Sequence, residues 1–322
     1  MNMKKIGLTA LAASLVSVSA HAGAMSVAGG ASMNTEGKSG EGLVAGTTFS
    51  MGNQLTFTGS GELDNGLNVS LSFVIDQGDD ENQAETSPFD NHSVTVSSDG
   101  LGTLVLAAEG GSSAASSIDT SAAGDIWDTF DGSLGYTSGV AVSDAGGVAN
   151  NLFYTLPSMV DGLSIYANYN PQGSNRESST GFGVTYTGVE GLTAKYAVAD
   201  EVGTTTALSG DQTVWNLSYV YGPVTVTASN SDFDVGTSTS DQELSSFAVS
   251  YTISDELSVT YGEDTIEKGG DPTDAEYSVI KGSYTAGGMT ISASMKDGEN
   301  INHGTASNQD FEYWSLGASF AF

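Results

Sequence analysis

The chain alternates apolar and polar side chains at every second position over most of its length. The clearest example follows the turn Asp64-Asn65-Gly66, where Leu67, Val69, Leu71, Phe73 and Ile75 alternate with Asn68, Ser70 and Ser72. Successive side chains of a β-strand point to opposite faces, so this period predicts strands with one apolar and one hydroxyl-bearing face. From Gly23 to Phe322 no helical period persists beyond a turn or two. The sequence therefore predicts an all-β protein.

The connections between the predicted strands alternate between tight turns and long polar loops. Tight turns are predicted at residues 64–66, 98–100, 160–162, 189–191, 222–223, 254–256 and 286–288. The long loops span about residues 35–46, 77–91, 110–147, 171–179, 201–212, 235–243, 265–275 and 298–309. Eight long and seven short connections predict about sixteen antiparallel strands with both chain ends on one side. A β-sandwich would show the same alternation, so both architectures stay open at this point.

The first 22 residues have the three parts of a secretory signal peptide. Lys4 and Lys5 precede an apolar run over residues 6–18, and the small-residue site Ala20-His21-Ala22 follows. The run is shorter than the ~20 residues of a membrane-spanning helix, which disfavours a permanent N-terminal anchor. We predict cleavage after Ala22, so that the exported protein comprises residues 23–322.

The charge balance excludes nucleic acid as a partner. The formal net charge is −31, and beyond the predicted signal peptide the basic residues are Lys38, Arg176, Lys195, Lys268, Lys281 and Lys296. A protein that binds phosphate backbones needs clustered Lys and Arg side chains. There is no cysteine, which excludes disulfides and thiolate metal sites.

Catalytic chemistry has little support in the sequence, and we predict no enzymatic activity. Only His92 and His303 lie beyond the predicted cleavage site, and neither an HExxH nor a GxSxG motif occurs. No cofactor is required by any motif. The acidic stretch that contains Asp76, Asp79 and Asp80 offers hard oxygen ligands for calcium. It lacks the order of an EF-hand, so a solvated run of charge is the competing interpretation.

The C-terminal strand and three internal segments resemble the Gram-negative general porin family. Trp314, Leu316, Ala318, Phe320 and Phe322 would share one face of the last strand, and a soluble domain seldom ends on such an exposed aromatic. Porins of this family end in an aromatic-rich strand with a terminal Phe, which closes against the first strand. Residues 55–63, 99–106 and 151–157 are similar to the family's second, fifth and sixth strands, in that order.

The resemblance implies a transmembrane antiparallel β-barrel over residues 23–322, in the bacterial outer membrane and usually a homotrimer. It implies that the third long loop, Gly110 to Gly147, folds inward and narrows a water-filled pore. That loop carries Asp119, Asp125, Asp128, Asp131 and Asp144, beside the apolar Ile126, Trp127 and Phe130 that could pin it to the inner wall. The competing interpretation is a solvated surface loop.

The sequence departs from the family at the wall that faces this loop, where the family carries an arginine cluster. Residues Asn53, Gln54, Asn68, Ser70, Thr95 and Ala107 stand in the corresponding strands, and Arg176 is predicted to lie in a loop. By alternation Lys195, Lys281 and Lys296 point to the lumen, because a Lys at the mid-bilayer lipid face costs about 2 to 4 kcal/mol. Carboxylates outnumber these lysines. We therefore expect Asp119, Asp125, Asp128, Asp131 and the three lysines at the constriction, and a preference for cations.

The sequence thus favours a diffusion porin for small hydrophilic solutes, with lipids and lipopolysaccharide as surroundings. Its acidic loops could share divalent ions with lipopolysaccharide. Two other classes remain open at this stage. One is a non-conducting surface or adhesive β-protein, and the other is a secreted β-protein that binds sugars or catalyses hydrolysis.

Overall fold

A computed structural model describes residues 25–40, 46–76, 89–130, 145, 149–171, 176–203, 209–235, 241–301, 303 and 310–322. Sixteen strands lie in these ranges. They are β1 Met25–Gly40, β2 Gly46–Glu62, β3 Asn68–Asp76, β4 Phe89–Ser98, β5 Gly102–Glu109, β6 Asn151–Thr155, β7 Leu163–Asn170, β8 Arg176–Tyr186, β9 Leu192–Gly203, β10 Gly210–Tyr221, β11 Val224–Val235, β12 Gln242–Thr252, β13 Leu257–Lys268, β14 Ala275–Ala286, β15 Met289–Glu299 and β16 Phe311–Ala321. The predicted signal peptide lies outside the described residues.

Each strand pairs antiparallel with its neighbours in the sequence, and β1 pairs with β16 to close the barrel. The closure runs from Gly30 opposite Ala321 to Gly40 opposite Phe311. Phe322 extends it, because its backbone N–H donates to Gly29 O at 3.0 Å and its carbonyl accepts from Gly29 N at 2.7 Å. A closed sheet leaves no strand edge unpaired, which is what lipid requires of a spanning sheet. The prediction of a sixteen-stranded barrel is confirmed.

The two faces of the wall differ as the alternation predicts. On β10, Trp215, Leu217 and Tyr219 are exposed on the outside, whereas Val214 and Asn216 are buried on the inside. Exposed tyrosines gather on the outer face at the short-turn end of the barrel: Tyr186, Tyr219, Tyr221, Tyr251 and Tyr284. Such rings mark membrane interfaces, where the aromatic body is apolar and the hydroxyl is hydrated.

Several strands extend further at the long-loop end than the sequence predicts. Residues 35–40 belong to β1, residues 176–179 (with Arg176) to β8, residues 201–203 to β9 and residues 265–268 to β13, although all were expected in loops. The carboxylates of these segments stand on hydrogen-bonded strands. The parts of the strands that extend beyond the hydrocarbon core of the membrane do not need an apolar outer face. Their sequence therefore lacks the alternation that identifies a strand.

Residues 110–130 and Ala145, which we call the inner loop, lie inside the barrel. Two clusters of buried residues join this loop to the wall. One contains Ile126 and Phe130 with Leu244, Ile266 and Val279, and the other contains Ala114, Ala115 and Ile118 with Ala197 and Val214. The loop therefore folds inward, and the interpretation as a solvated surface loop is wrong for this part. Within the described ranges, no helix is long and apolar enough to cross a membrane.

Candidate pore constriction

The backbone of the inner loop is hydrogen-bonded to inward-pointing side chains of β6, β7, β10 and β11. These bonds are Asn151 Nδ2 to Ser112 O, Ala114 N to Asn168 Oδ1 (2.7 Å), Asn216 Nδ2 to Asp119 O (3.0 Å), Ser229 Oγ to Thr120 O (2.7 Å) and Ala145 N to Gln212 Oε1 (2.8 Å). A buried main-chain N–H or C=O group needs a partner, and here the wall supplies it. The path of the loop is therefore fixed mainly through its main-chain atoms.

A buried carboxylate anchors the tip of the loop. Asp264 on β13 is 1% exposed. One of its oxygens accepts the Ile126 N–H at 3.1 Å, and the other accepts the Ser246 hydroxyl at 2.5 Å. Ser246 Oγ in turn accepts the Ala122 N–H at 2.7 Å. Two strands thus hold both sides of the tip through one connected set of hydrogen bonds.

Apolar packing acts beside this anchor. Ile126 and Phe130 are completely buried, and the ring of Phe130 stacks on Tyr277 with 5.7 Å between centroids. Trp127 is only partly buried, at the margin of the same cluster. Burying an Ile or Phe side chain contributes roughly 1.5–3 kcal/mol. The loop tip is therefore held by apolar burial as well as by polar bonds.

Two glycines on the inner wall stand where the loop comes closest. A Cβ atom at Gly262 on β13 would overlap Ala123, and one at Gly181 on β8 would overlap Asn168 and lie 3.0 Å from Ala114 Cβ. Only a residue without a side chain leaves room for the Ala123 methyl group at Gly262, and for the Asn168 side chain and the Ala114 methyl group at Gly181. The wall is thus shaped to receive the loop.

Three of the predicted carboxylates face the open lumen. Asp119, Asp125 and Asp128 are exposed, whereas the neighbouring Ile118, Ala123 and Ile126 are buried against the wall. The Ser121 N–H donates to Asp119 Oδ1 at 3.2 Å and the Ser121 hydroxyl donates to Asp125 Oδ1 at 2.8 Å, which fixes two of the side chains. Asp131 and Asp144 lie outside the described residues. The loop therefore presents a row of negative charge to the pore.

Two of the three predicted lysines contact the loop. Lys281 donates to the carbonyl of Ala123 and Lys296 to the hydroxyl of Thr129. The register places Lys195 on the inner face of β9, opposite Asn216. The ammonium groups of Lys281 and Lys296 thus attach the loop tip to β14 and β15.

The inner wall that the loop leaves uncovered is polar and acidic. Gln54, Asn68, Ser70, Thr95 and Ala107 take inward positions in the register of β2–β5. Asn53 instead takes an outward position between Met51 and Leu55. Within the described parts of β1–β5 the one basic residue is Lys38, at the long-loop end of β1.

Glu36 adds a carboxylate that sequence reasoning assigned to a loop. It lies on the inner face of β1 and is mostly buried. Its Oε2 accepts from Tyr313 Oη at 2.5 Å and from Asn34 Nδ2 at 2.9 Å. The sequence also missed Asp264, Ser246 and the wall amides. The sequence contained one signal for the amides and for Asp264: an Asn, Gln or Asp stands at an inward position of a strand whose other inward residues are mostly Ser, Thr or Ala.

The predicted calcium ligands are only partly described. Asp76 ends β3 on the inner face, opposite Gln54, whereas Asp79 and Asp80 lie outside the described residues. Among the residues that the structure describes, no group of three or more His, Cys, Asp or Glu side chains is arranged to hold a metal ion.

A closed sixteen-stranded barrel with an acidic loop folded into its lumen is the architecture of a porin. The model of one family, the Gram-negative porins, matches residues 7–322. The chain belongs to the Gram-negative porin family. This places the porin in the bacterial outer membrane, with its long loops outside and its short turns in the periplasm. Among proteins of curated function, none shows significant sequence similarity to it.

Solved porin structures share the fold at low sequence identity. A porin refined at 1.8 Å resolution is 18% identical, with a TM-score of 0.65. A triple mutant of the Rhodopseudomonas blastica porin is 16% identical, with a TM-score of 0.63. An engineered protein of asymmetric conductivity is also 16% identical, with a TM-score of 0.66. Each comparison covers 93% of this chain and 100% of the other.

Proposed function

We propose that the porin is a water-filled channel for the passive diffusion of small hydrophilic solutes and ions, with a preference for cations and without enzymatic activity. The observation that carries the cation preference is the row of Asp119, Asp125 and Asp128, exposed on the inner loop. The facing strands β2–β5 carry no Lys or Arg in their described parts. Lys195, Lys281 and Lys296 belong to the proposed constriction as a positive minority.

The expected preference is moderate and depends on salt. A unit charge 4 Å from a carboxylate in water gains about 1 kcal/mol, which is about a fivefold local enrichment. Screening limits this effect to about 8 Å at 0.15 M salt and to less at higher salt. The three carboxylates together therefore favour small cations without excluding neutral solutes or anions.

Planar-bilayer recording tests the channel and its ion preference together. We expect stepwise conductance in KCl and, across a KCl gradient, a reversal potential of the sign that marks cation preference. The potential should shrink as the mean salt concentration rises. A reversal potential of the opposite sign would contradict cation preference. A barrel that inserts without conductance would favour the alternative of a non-conducting surface protein or a solute-binding β-protein.

We propose a homotrimer, supported by the outer face of β1–β3. In the described register this face carries no charged residue, and it exposes Met33, Met51 and Phe49, the last at 77%. Ala31 and Gly59 lie among them, and small residues let neighbouring surfaces in a membrane approach closely.

We predict that Gly59→Trp lowers the trimeric fraction in sedimentation or cross-linking. A Cβ at Gly59 meets no atom within 4 Å, so the isolated barrel has room for the new side chain. Ala228→Trp on the outer face of β11 is the matched control and should leave assembly unchanged. An unaltered trimer in the Gly59→Trp variant would contradict this placement of the interface.

The proposed lipid partner is lipopolysaccharide, bridged by divalent cations. At the extracellular ends of β9–β16 carboxylates stand opposite one another on outward positions: Asp200 and Asp211, Asp211 and Asp234, Asp232 and Glu243, Glu243 and Glu267, Glu276 and Glu299, and Asp297 and Glu312. Directly opposed like charges destabilise a sheet. Magnesium should therefore raise Tm in the presence of lipopolysaccharide, and an unchanged Tm would count against the bridge.

Two further proposals concern residues that lie wholly or mostly outside the described ranges. We propose that the signal peptide is cleaved after Ala22, so that N-terminal sequencing of the outer-membrane protein begins at Gly23. We also propose a calcium ion at Asp76, Asp79 and Asp80, on the chemistry of their oxygens alone. An unchanged Tm after removal of calcium by a selective chelator would argue against that ion.

A further inference from the structure

A recess of about 400 Å³ lies against the inner wall on the periplasmic side of the loop tip. Ala123 and Gly124 of the loop lie at one side of it, and Lys281 and Lys296 border it. Six hydroxyl side chains complete the lining: Ser258, Thr260, Ser283, Ser292, Ser294 and Ser315. The volume falls within the ~300–1,000 Å³ range of small-ligand sites. None of its thirteen lining residues is a carboxylate.

The lysines retain donors for a ligand. An ammonium group has three N–H donors and no acceptor. Lys281 uses one on the carbonyl of Ala123, and Lys296 uses one on the hydroxyl of Thr129. Ser294 and Ser315, whose hydroxyls lie 2.8 Å apart, are opposite each other one step below Lys296. The recess thus combines charged donors with hydroxyls, which is the chemistry that suits an oxyanion.

The register places the anchor carboxylate Asp264 one row nearer the long-loop end than Lys296. Asp125, Asp128 and Asp264 act electrostatically on Lys296, and so does Lys281. These carboxylates belong to the loop tip and to its anchor. On β13, β14 and β15 Lys281 is paired with Thr260 and Ser294. The next inward row toward the periplasmic turns consists of Ser258, Ser283 and Ser292. Lys281 and Lys296 therefore lie between the anchor carboxylate of Asp264 and the hydroxyl side chains at the short-turn side of the recess.

We propose that this recess binds a small oxyanion, a carboxylate or phosphate group carried by a permeating solute. The inference rests on the proposed channel, through which the solute reaches the recess. Anion binding is weak because the net charge of the chain is −31, and weak binding permits release into the periplasm.

Line broadening in nuclear magnetic resonance spectra tests binding, and the test does not require that the porin conducts ions. Inorganic phosphate is titrated into the detergent-solubilised porin and followed by its phosphorus signal, and acetate labelled with carbon-13 is followed in parallel. We expect saturable broadening, and Lys281→Gln should weaken binding about tenfold, as loss of one hydrogen bond between charged groups does. The two probes show whether phosphate, carboxylate or both are accepted. Absence of broadening by both would overturn the proposal.

Two variants separate the recess from the attachment of the loop. Ser292→Asp places a negative charge in the recess but leaves both lysine contacts with the loop in place, and it should abolish the broadening. Lys268→Gln removes a basic side chain that pairs with Asp271 at 3.4 Å, away from the recess, and should leave the broadening unchanged. Broadening that survives Ser292→Asp would overturn the proposal, whatever the bilayer recordings show of conduction.

Discussion

Replacement of the three exposed loop carboxylates by amides, in the variant Asp119→Asn, Asp125→Asn, Asp128→Asn, should remove most of the cation preference. The loop keeps its position, because Asp119 bonds to the wall through its main-chain carbonyl and the apolar contacts of Ile126 and Phe130 are unchanged. Each carboxylate enriches cations about fivefold at contact. We expect the reversal potential to move most of the way to zero, with single-channel conductance in concentrated KCl little changed.

A matched control for this variant is Glu276→Gln. Glu276 is exposed on the outer face of β14 and therefore does not line the pore. Its replacement should leave the reversal potential at the wild-type value. If the triple variant kept the wild-type potential, the selectivity would have to arise elsewhere, and the inner loop would not be the proposed constriction.

Removal of the buried anchor by Asp264→Ala should loosen the loop tip. The change leaves the Ile126 N–H without its acceptor and takes away the partner of Ser246. An unsatisfied buried donor costs about 1–3 kcal/mol, whereas the barrel wall keeps all its ladder hydrogen bonds. We expect larger and noisier single-channel currents at nearly unchanged barrel stability. Asp264→Asn, which retains an acceptor oxygen, should have the smaller effect.

A second route to the same loosening needs no change of charge. Gly262→Val on the same strand puts a side chain where Ala123 lies, and should also give larger, noisier currents. Glu267→Gln, on the outer face of β13, is the control for both variants and should behave as wild type. Quiet, wild-type currents in both Asp264→Ala and Gly262→Val would show that the anchor does not hold the constriction.

The barrel was predictable because its wall obeys a local rule. The alternation of apolar and polar residues, as in Leu71 and Ser72, predicts each strand and the face on which each side chain lies. The turn residues predict the number of strands. The inward course of the loop followed from the family resemblance. The exposure of Asp119, Asp125 and Asp128 agrees with that expectation, although their role in conduction stays a prediction.

What the sequence could not show depends on contacts far apart in the chain. The Ile126–Asp264 bond joins residues 138 positions apart, and nothing local in β13 distinguishes an anchor from a solvated carboxylate. Glu36 was assigned to a loop because the part of β1 that extends beyond the hydrocarbon core lacks alternating apolar residues. Asn53 breaks the polar-inside rule, because it shares the outward face of β2 with Met51 and Leu55.

The attachment of the inner loop mostly through main-chain atoms has a consequence for how this channel can vary. Ser112, Ala114, Asp119, Thr120, Ala122, Ala123, Ile126 and Ala145 all meet the wall through a backbone N–H or C=O group. Such bonds do not depend on which side chain the loop residue carries. Substitution of lumen-facing loop residues can therefore change the permeability of the porin, while the main-chain hydrogen bonds that hold the loop against the wall are kept.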